Sequence, residues 1–244
     1  MSLAAELESN FDRFAARFES ELASVRTTLS SQREIFLRSY TRIASLNAWR
    51  EQLLKSQISK GSLAFFLEAQ NDALTSHVLA RFGAWRAANQ MLRSFIENSL
   101  ECVFFKDHPI ELRQWETGVF KLSFAEAITY LKSHPDIKPF YQMSGLTVLQ
   151  REYATLCKAV HGAASFRMTH LSIGTKLWSA DIPDLGRWRT REKASLEHVN
   201  CLYVTLFREQ LQGARLPGLR QILGLAIAPS KHTEIKKKFS VVLG

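Results

Sequence analysis

Residues 86–111, RAANQMLRSFIENSLECVFFKDHPIE, carry the reading that decides the fold class. From Ala87 to Phe105 the stretch is mostly apolar, long enough for several helical turns, and expected to be buried. It stops at Lys106-Asp107-His108-Pro109, because a proline pushes its predecessor out of the helical region. Arg93, Glu97 and Glu101 are spaced by four and share one face. Buried charges are costly unless paired, so this row calls for polar partners on other helices.

Working backwards, the same apolar period runs through Phe65, Leu67, Leu74, Val78, Phe82 and Trp85, and Ser62 offers an N-cap. A single helix from Ser62 to Phe105 is therefore predicted. Further upstream, Leu7, Phe11, Phe14, Phe18, Leu22, Val25 and Leu29 step by three and four. After a break or kink at Ser30-Ser31 the stripe resumes through Phe36, Tyr40, Ile43, Leu46, Trp49 and Leu53 and stops near Lys60-Gly61. This pair makes an antiparallel hairpin or a bent rod. Its Phe-rich stripe is too wide for a coiled-coil seam and should pack on a bundle or a second subunit.

Working forwards, Ser123-Phe-Ala-Glu126 is a capping-box pattern, and the helix it opens ends at His134-Pro135. A helix from Ser144 reaches His161-Gly162, and a loop rich in Gly, Ser and Asp spans about 162–184. Another helix runs from about Leu185 to Gln212 and ends at Gly213. Pro217 starts a last short helix, and Lys231 to Lys238 lie in a basic tail. No alternating run bounded by turns is present. The expectation is an all-α helical bundle with a long N-terminal helical arm, divided as 1–60 arm, 61–228 bundle and 229–244 basic tail.

Composition narrows the function classes. With 244 residues, 46% hydrophobic and 23% charged, the chain sits in the ordinary globular range. Its three cysteines, Cys102, Cys157 and Cys201, lie far apart among apolar neighbours and read as reduced core thiols. The acidic N-terminus is no secretory leader, and the longest uncharged stretch near the end, Gln221 to Ser230, is too short to span a bilayer. A cytoplasmic protein without membrane partners is expected. The net charge is +9, and it is uneven. Residues 1–150 carry 17 Lys and Arg against 16 Asp and Glu; residues 151–244 carry 15 against 7. Such a basic third fits a polyanionic partner, nucleic acid before membrane, or a solubilising face with a frayed tail.

Phosphate-binding glycine loops, the nucleophile elbow and the His-Glu-x-x-His motif are all missing, and no Cys-x-x-Cys or paired-His pattern points to a metal. No cofactor or metal is expected. Apart from the Arg93 row, Lys106-Asp107-His108-Pro109 and Glu111 put titratable groups on a turn. Tyr153, Cys157 and His161 are spaced by four on one helix, with His161 in the last turn, and histidine suits proton transfer near neutral pH. Arg191 and His198 have six residues between them on a helix that also carries Arg187 and Arg189. One such spacing is expected by chance in a chain with this many arginines and histidines.

Two of these segments, Arg86 to Glu111 and EYATLCKAVHG from Glu152 to Gly162, resemble members of the HEPN superfamily of bacterial helical proteins. That resemblance covers about 37 residues and implies a four- to five-helix bundle that forms a homodimer. Active members are metal-independent endoribonucleases of antiphage defence and toxin–antitoxin systems. In them an Arg-x(4–6)-His motif at the dimer cleft holds the phosphate and moves the proton. Only Arg191 and His198 match that spacing; His161 has no arginine five to seven residues before it. The resemblance thus implies a protein that binds or cuts RNA, with His161 or His198 for proton transfer and Arg93 or Arg191 on the phosphate. Glu97 would orient one of these groups, while Arg187, Arg189, Lys236, Lys237 and Lys238 would add phosphate affinity. A different reading is a non-catalytic accessory subunit whose Phe-rich arm docks on a protein partner, from the same defence system if that setting holds. A nonspecific DNA-binding module is a third.

Overall fold

The computed structural model describes residues 3–160, 179–213 and 215–244. Those residues are all-α, with no strand among them. Helix α1 (Leu3–Ser30) is followed, after a two-residue turn, by α2 (Arg33–Trp49). That helix continues through a π-helical stretch, Arg50–Leu54, into a last turn α3 (Lys55–Gln57).

The expected single helix over 62–105 is two helices, α4 (Lys60–Arg81) and α5 (Trp85–Asp107). The apolar period crosses the corner in phase through Phe82 and Trp85, of which Trp85 packs on the core, so only Gly83 betrays it. Its φ of +70° is a left-handed turn, and a Cβ there would lie 2.3 Å from the Ser179 carbonyl oxygen. The Gly83 carbonyl accepts from the Ser179 amide, and Trp85 Nε1 donates to the Ser179 carbonyl, which stitches the corner to a distant segment. The cap of α4 is Ser59, three residues before the serine expected: its hydroxyl accepts from the Ser62 amide, so Lys60-Gly61 begins a helix rather than ending one.

Downstream the local signals hold. The helix α6 (Pro109–Glu116) starts at the proline that ends α5. Ser123 and Glu126 form the reciprocal capping box of α7 (Phe124–Ser133). A 3-10 turn at Lys138–Phe140 leads to α8 (Leu146–Val160). Asp181 caps α9 (Ile182–Leu206), which ends at Leu206, short of the expected Gly213. Pro217 opens α10 (Pro217–Ala226), as its sequence requires.

The bundle is built on α5 and α9, which bury Leu92, Phe95, Ile96, Leu100, Leu196, Leu202 and Tyr203 against each other and against α2, α4 and α8. Two boundaries differ from the expectation. First, α2 belongs to the bundle: Leu46, Trp49, Leu53 and Leu54 are buried and α2 packs on α4, α9 and α10. Only the first part of α1 stands apart, and α1 meets the bundle through its last turns, where Val25 and Leu29 are buried. Second, the basic tail is a helix, α11 (Pro229–Phe239), which with the residues after it buries Ile235, Phe239, Val241 and Leu243 and leaves Lys236, Lys237 and Lys238 exposed. A spacing of four between Ile235 and Phe239 supplies the anchoring face, and the lysines fall between them on the outer side.

Candidate functional site

Helix α8 is a wall with a polar centre on each side. Tyr153 faces α5, and its neighbour Glu152 faces α9.

On the α5 side, Arg93 Nη2 donates to Glu97 Oε1 at 2.7 Å and to the Tyr153 hydroxyl oxygen at 2.8 Å. Tyr153 donates in turn to Glu97 Oε1 at 2.7 Å. The guanidinium also sits 5.0 Å from the centre of the Tyr153 ring, while Phe124 of α7 stacks against that ring nearly parallel. Burial works against the Arg93 charge, but its hydrogen bonds to Cys157 and Tyr153 and the Glu97 carboxylate outweigh it and raise the guanidinium pKa. Burial, then the Glu97 hydrogen bond, pushes the Tyr153 hydroxyl well above its ordinary range. Glu101, one turn beyond Glu97, is pushed up to about 7 by burial and by that same carboxylate. Two members of the row predicted on one face of α5, Arg93 and Glu97, thus find polar partners in Tyr153 and Cys157 of the second motif, whereas Glu101 meets only the like charge of Glu97. The third member of that motif, His161, lies outside the described residues.

On the α9 side, Arg191 Nη1 donates to Glu152 Oε2 at 2.8 Å, and Glu152 is almost wholly buried. Two turns along the same face, His198 has both ring nitrogens engaged. The Ala194 carbonyl can only accept, so Nδ1–H donates to it at 2.7 Å. That leaves Nε2 as the acceptor, and Lys231 of α11 donates to it at 2.9 Å. Lys231 also pairs with the buried Glu197 at 2.8 Å and reaches Cys201 Sγ at 3.8 Å. Burial lowers the His198 pKa, and the Lys231 charge lowers it further, so the ring is held neutral. Gly145, at φ +77°, lies close against the His198 side chain: a Cβ there would come within 2.8 Å of His198 Cβ.

The remaining expected residues are not gathered at either centre. Arg187 lies near the start of α9, exposed and paired with Asp184, and Arg189 is exposed beside it. Helix α11 meets α9 at His198 and runs on until Phe239 packs on Phe140 and accepts from Gln212. Arg187 is 11 residues before His198, about 16 Å along the axis, so the lysines at the far end of α11 form a separate patch. At the turn after α5, Asp107 takes hydrogen bonds from the Tyr130 hydroxyl at 2.9 Å and His134 Nε2 at 3.2 Å, and pairs with Lys106. His108 stacks on Phe104 there. These contacts fasten α7 to the end of α5.

Three residues of these centres escaped the sequence reading: Glu152, Glu197 and Lys231. A signal existed for the two acids, since each occupies a place among apolar residues on the inward side of its helix. Among the described residues no group of three or more His, Cys, Asp or Glu side chains could hold a metal ion. No helix among them is long and apolar enough to cross a membrane.

Compared with known proteins, the chain matches no family model, no curated protein and no solved structure.

Proposed function

We propose that the chain is a HEPN-like helical protein that binds RNA and does not cleave it through Arg191 and His198. The observation that carries this reading is the state of those two side chains. A phosphate-holding arginine offers its charge to the substrate, and the Arg191 charge is already offset by the buried Glu152 carboxylate that it pairs with. A proton-transfer histidine needs one free nitrogen, and His198 has its only lone pair capped by Lys231. Exposed cations support the binding half: Arg189 and Lys236 to Lys238 point outward in a chain of net charge +9.

The test combines binding and cleavage on the full chain. RNA affinity, read by fluorescence anisotropy, should fall steeply with salt and drop in a Lys236→Ala/Lys237→Ala/Lys238→Ala variant. RNA incubated in EDTA should stay intact with wild type and His198→Ala alike. Products ending in 2′,3′-cyclic phosphate that vanish with His198→Ala would overturn the reading and restore the endoribonuclease.

A second reading is favoured by α1. Leu3, Leu7 and Phe11 are each more than half exposed, and Phe14 nearly so. An apolar helix face of that length is what an accessory subunit offers to a protein partner. Association of the wild type that is lost in a Phe11→Glu/Phe14→Glu variant supports it; a monomer with no dependence on either residue opposes it.

A further inference from the structure

The turn between α1 and α2 leans over the end of α4 and leaves a cavity of about 690 Å³, open to solvent. Its walls include Arg26 of α1, Phe36 of α2, and Arg81 and Phe82 at the end of α4. A second hollow of about 370 Å³ shares Ser30, Phe36 and Arg81 with it and adds Arg33, Tyr40 and His77. The two form one groove of a size that holds a small organic ligand.

Its chemistry is specific. Three arginines, Arg26, Arg33 and Arg81, reach the groove, and among the described residues none of them has a carboxylate partner. Other arginines of the first helices do: Arg17 pairs with Glu21, Arg38 with Glu34 and Arg42 with Glu192. The Arg81 guanidinium lies 6.0 Å from the centre of the Phe36 ring, and Tyr40, more than half exposed, presents a second ring beside it. Helix α2 starts at this place with no side-chain cap on its first amides. The carbonyl end of α4 arrives there too, and Arg81 in its last turn offsets that negative end. Three guanidinium groups without carboxylate partners, an uncapped helix start and the exposed ring of Tyr40 together match one ligand chemistry.

We propose that this groove binds a phosphate ester carrying a flat ring, the chemistry of a nucleotide, with Arg33 and Arg81 on the phosphate and Tyr40 against the ring. Guanidinium forks match phosphate oxygens two at a time, and an aromatic ring stacks on any base without selecting among them. The site lies on α1, α2 and α4, away from both centres beside α8, so it stands or falls independently of the RNA-binding reading. The same phosphate and base arrive either as a free nucleotide or as the 5′ end of an RNA.

Titration calorimetry on the full chain with AMP, inorganic phosphate and adenosine tests it. The expected result is binding of AMP, with phosphate and adenosine each weaker by about tenfold or more. Arg33→Ala and Arg81→Ala should each weaken AMP by about tenfold, and Arg33→Ala, which removes no ion pair or ring contact, should leave the melting temperature unchanged. Tyr40→Ala should narrow the gap between AMP and phosphate. A 5′-phosphorylated dinucleotide compared with its unphosphorylated form separates the two sources: preference for the former over AMP names an RNA end, and the reverse a free nucleotide. Absence of AMP binding at millimolar concentration, or binding indifferent to Arg33 and Arg81, would overturn the proposal. So would phosphate binding as tightly as AMP, because the rings would then contribute nothing.

Discussion

The first twenty described residues of α1 and the stretch of α9 from Glu192 onward obey the same helical period and meet opposite fates. In α1, Leu3, Leu7, Phe11 and Phe14 line an apolar stripe that stays largely in solvent. In α9, Glu192, Ser195, Glu197, Asn200 and Thr205 are polar and buried. Each of the α9 carboxylates is matched from another helix: Glu192 by Arg42, whose Nε lies 3.0 Å from Oε2, and Glu197 by Lys231. Asn200 accepts from Ser45 and Trp49 and donates to the Leu196 carbonyl. A buried polar residue is stable where partners replace its water, and an apolar residue remains exposed where no surface arrives to cover it. Polarity alone therefore ranks these two helices in the wrong order of burial.

The sharpest way to break the comparison is to remove one partner from α9. Arg42→Ala leaves Glu192 buried without its counter-ion, and should cost about 3–5 kcal/mol in chemical denaturation. Replacing both, as Arg42→Met with Glu192→Leu, should recover most of that loss. If Arg42→Ala is nearly neutral, the ion pair is open to water and the contrast with α1 disappears.

Protonation sharpens it from two sides. Burial, followed by the Arg81 charge, lowers His77 to about 4 from its ordinary value near 6.5. Native His77 thus refuses a proton that the unfolded chain accepts. Its contribution is complete above pH 6.5 and is lost as pH falls towards 4, so denaturation midpoints should drop over that window. His77→Phe should flatten the drop. Glu101 has the opposite sign. With a folded value of about 7 against an ordinary 4.5, the native carboxyl keeps a proton that the unfolded chain releases. Stability is therefore lost as pH rises from 4.5 to 7, and Glu101→Gln should stabilise the protein at pH 8 while changing little at pH 4.

The smallest expected effect lies in α1. Phe11→Glu should change folding stability by less than about 0.5 kcal/mol, because nothing buried is disturbed. Its effect belongs instead in sedimentation, as loss of association. A large loss of stability would show that this face of α1 is covered in solution.

Some features of the candidate centres were legible in the sequence. Arg93, Glu97 and Glu101 share a face because residues four apart do so in any helix, and Tyr153 and Cys157 share theirs for the same reason. That the two faces would meet was not legible, since 60 residues separate Arg93 from Tyr153. The pairing of Arg191 with His198 looked like a motif by spacing, yet each found its partner elsewhere, in Glu152 and Lys231. Spacing along one helix fixes what shares a side; it does not say what stands opposite.

The sequence by itself determined that the chain is helical, that helices end or begin at Pro109, Pro135 and Pro217, and that Ser123 and Glu126 cap one of them. These follow from backbone sterics and hydrogen bonds within four residues of each other. Only the tertiary structure decided that α4 and α5 turn back at Gly83, that α2 and α11 belong to the bundle, and which charges are buried. The reason is that burial depends on surfaces brought together from distant parts of the chain. Periodicity can announce a face to be covered, but only the packed bundle selects what covers it.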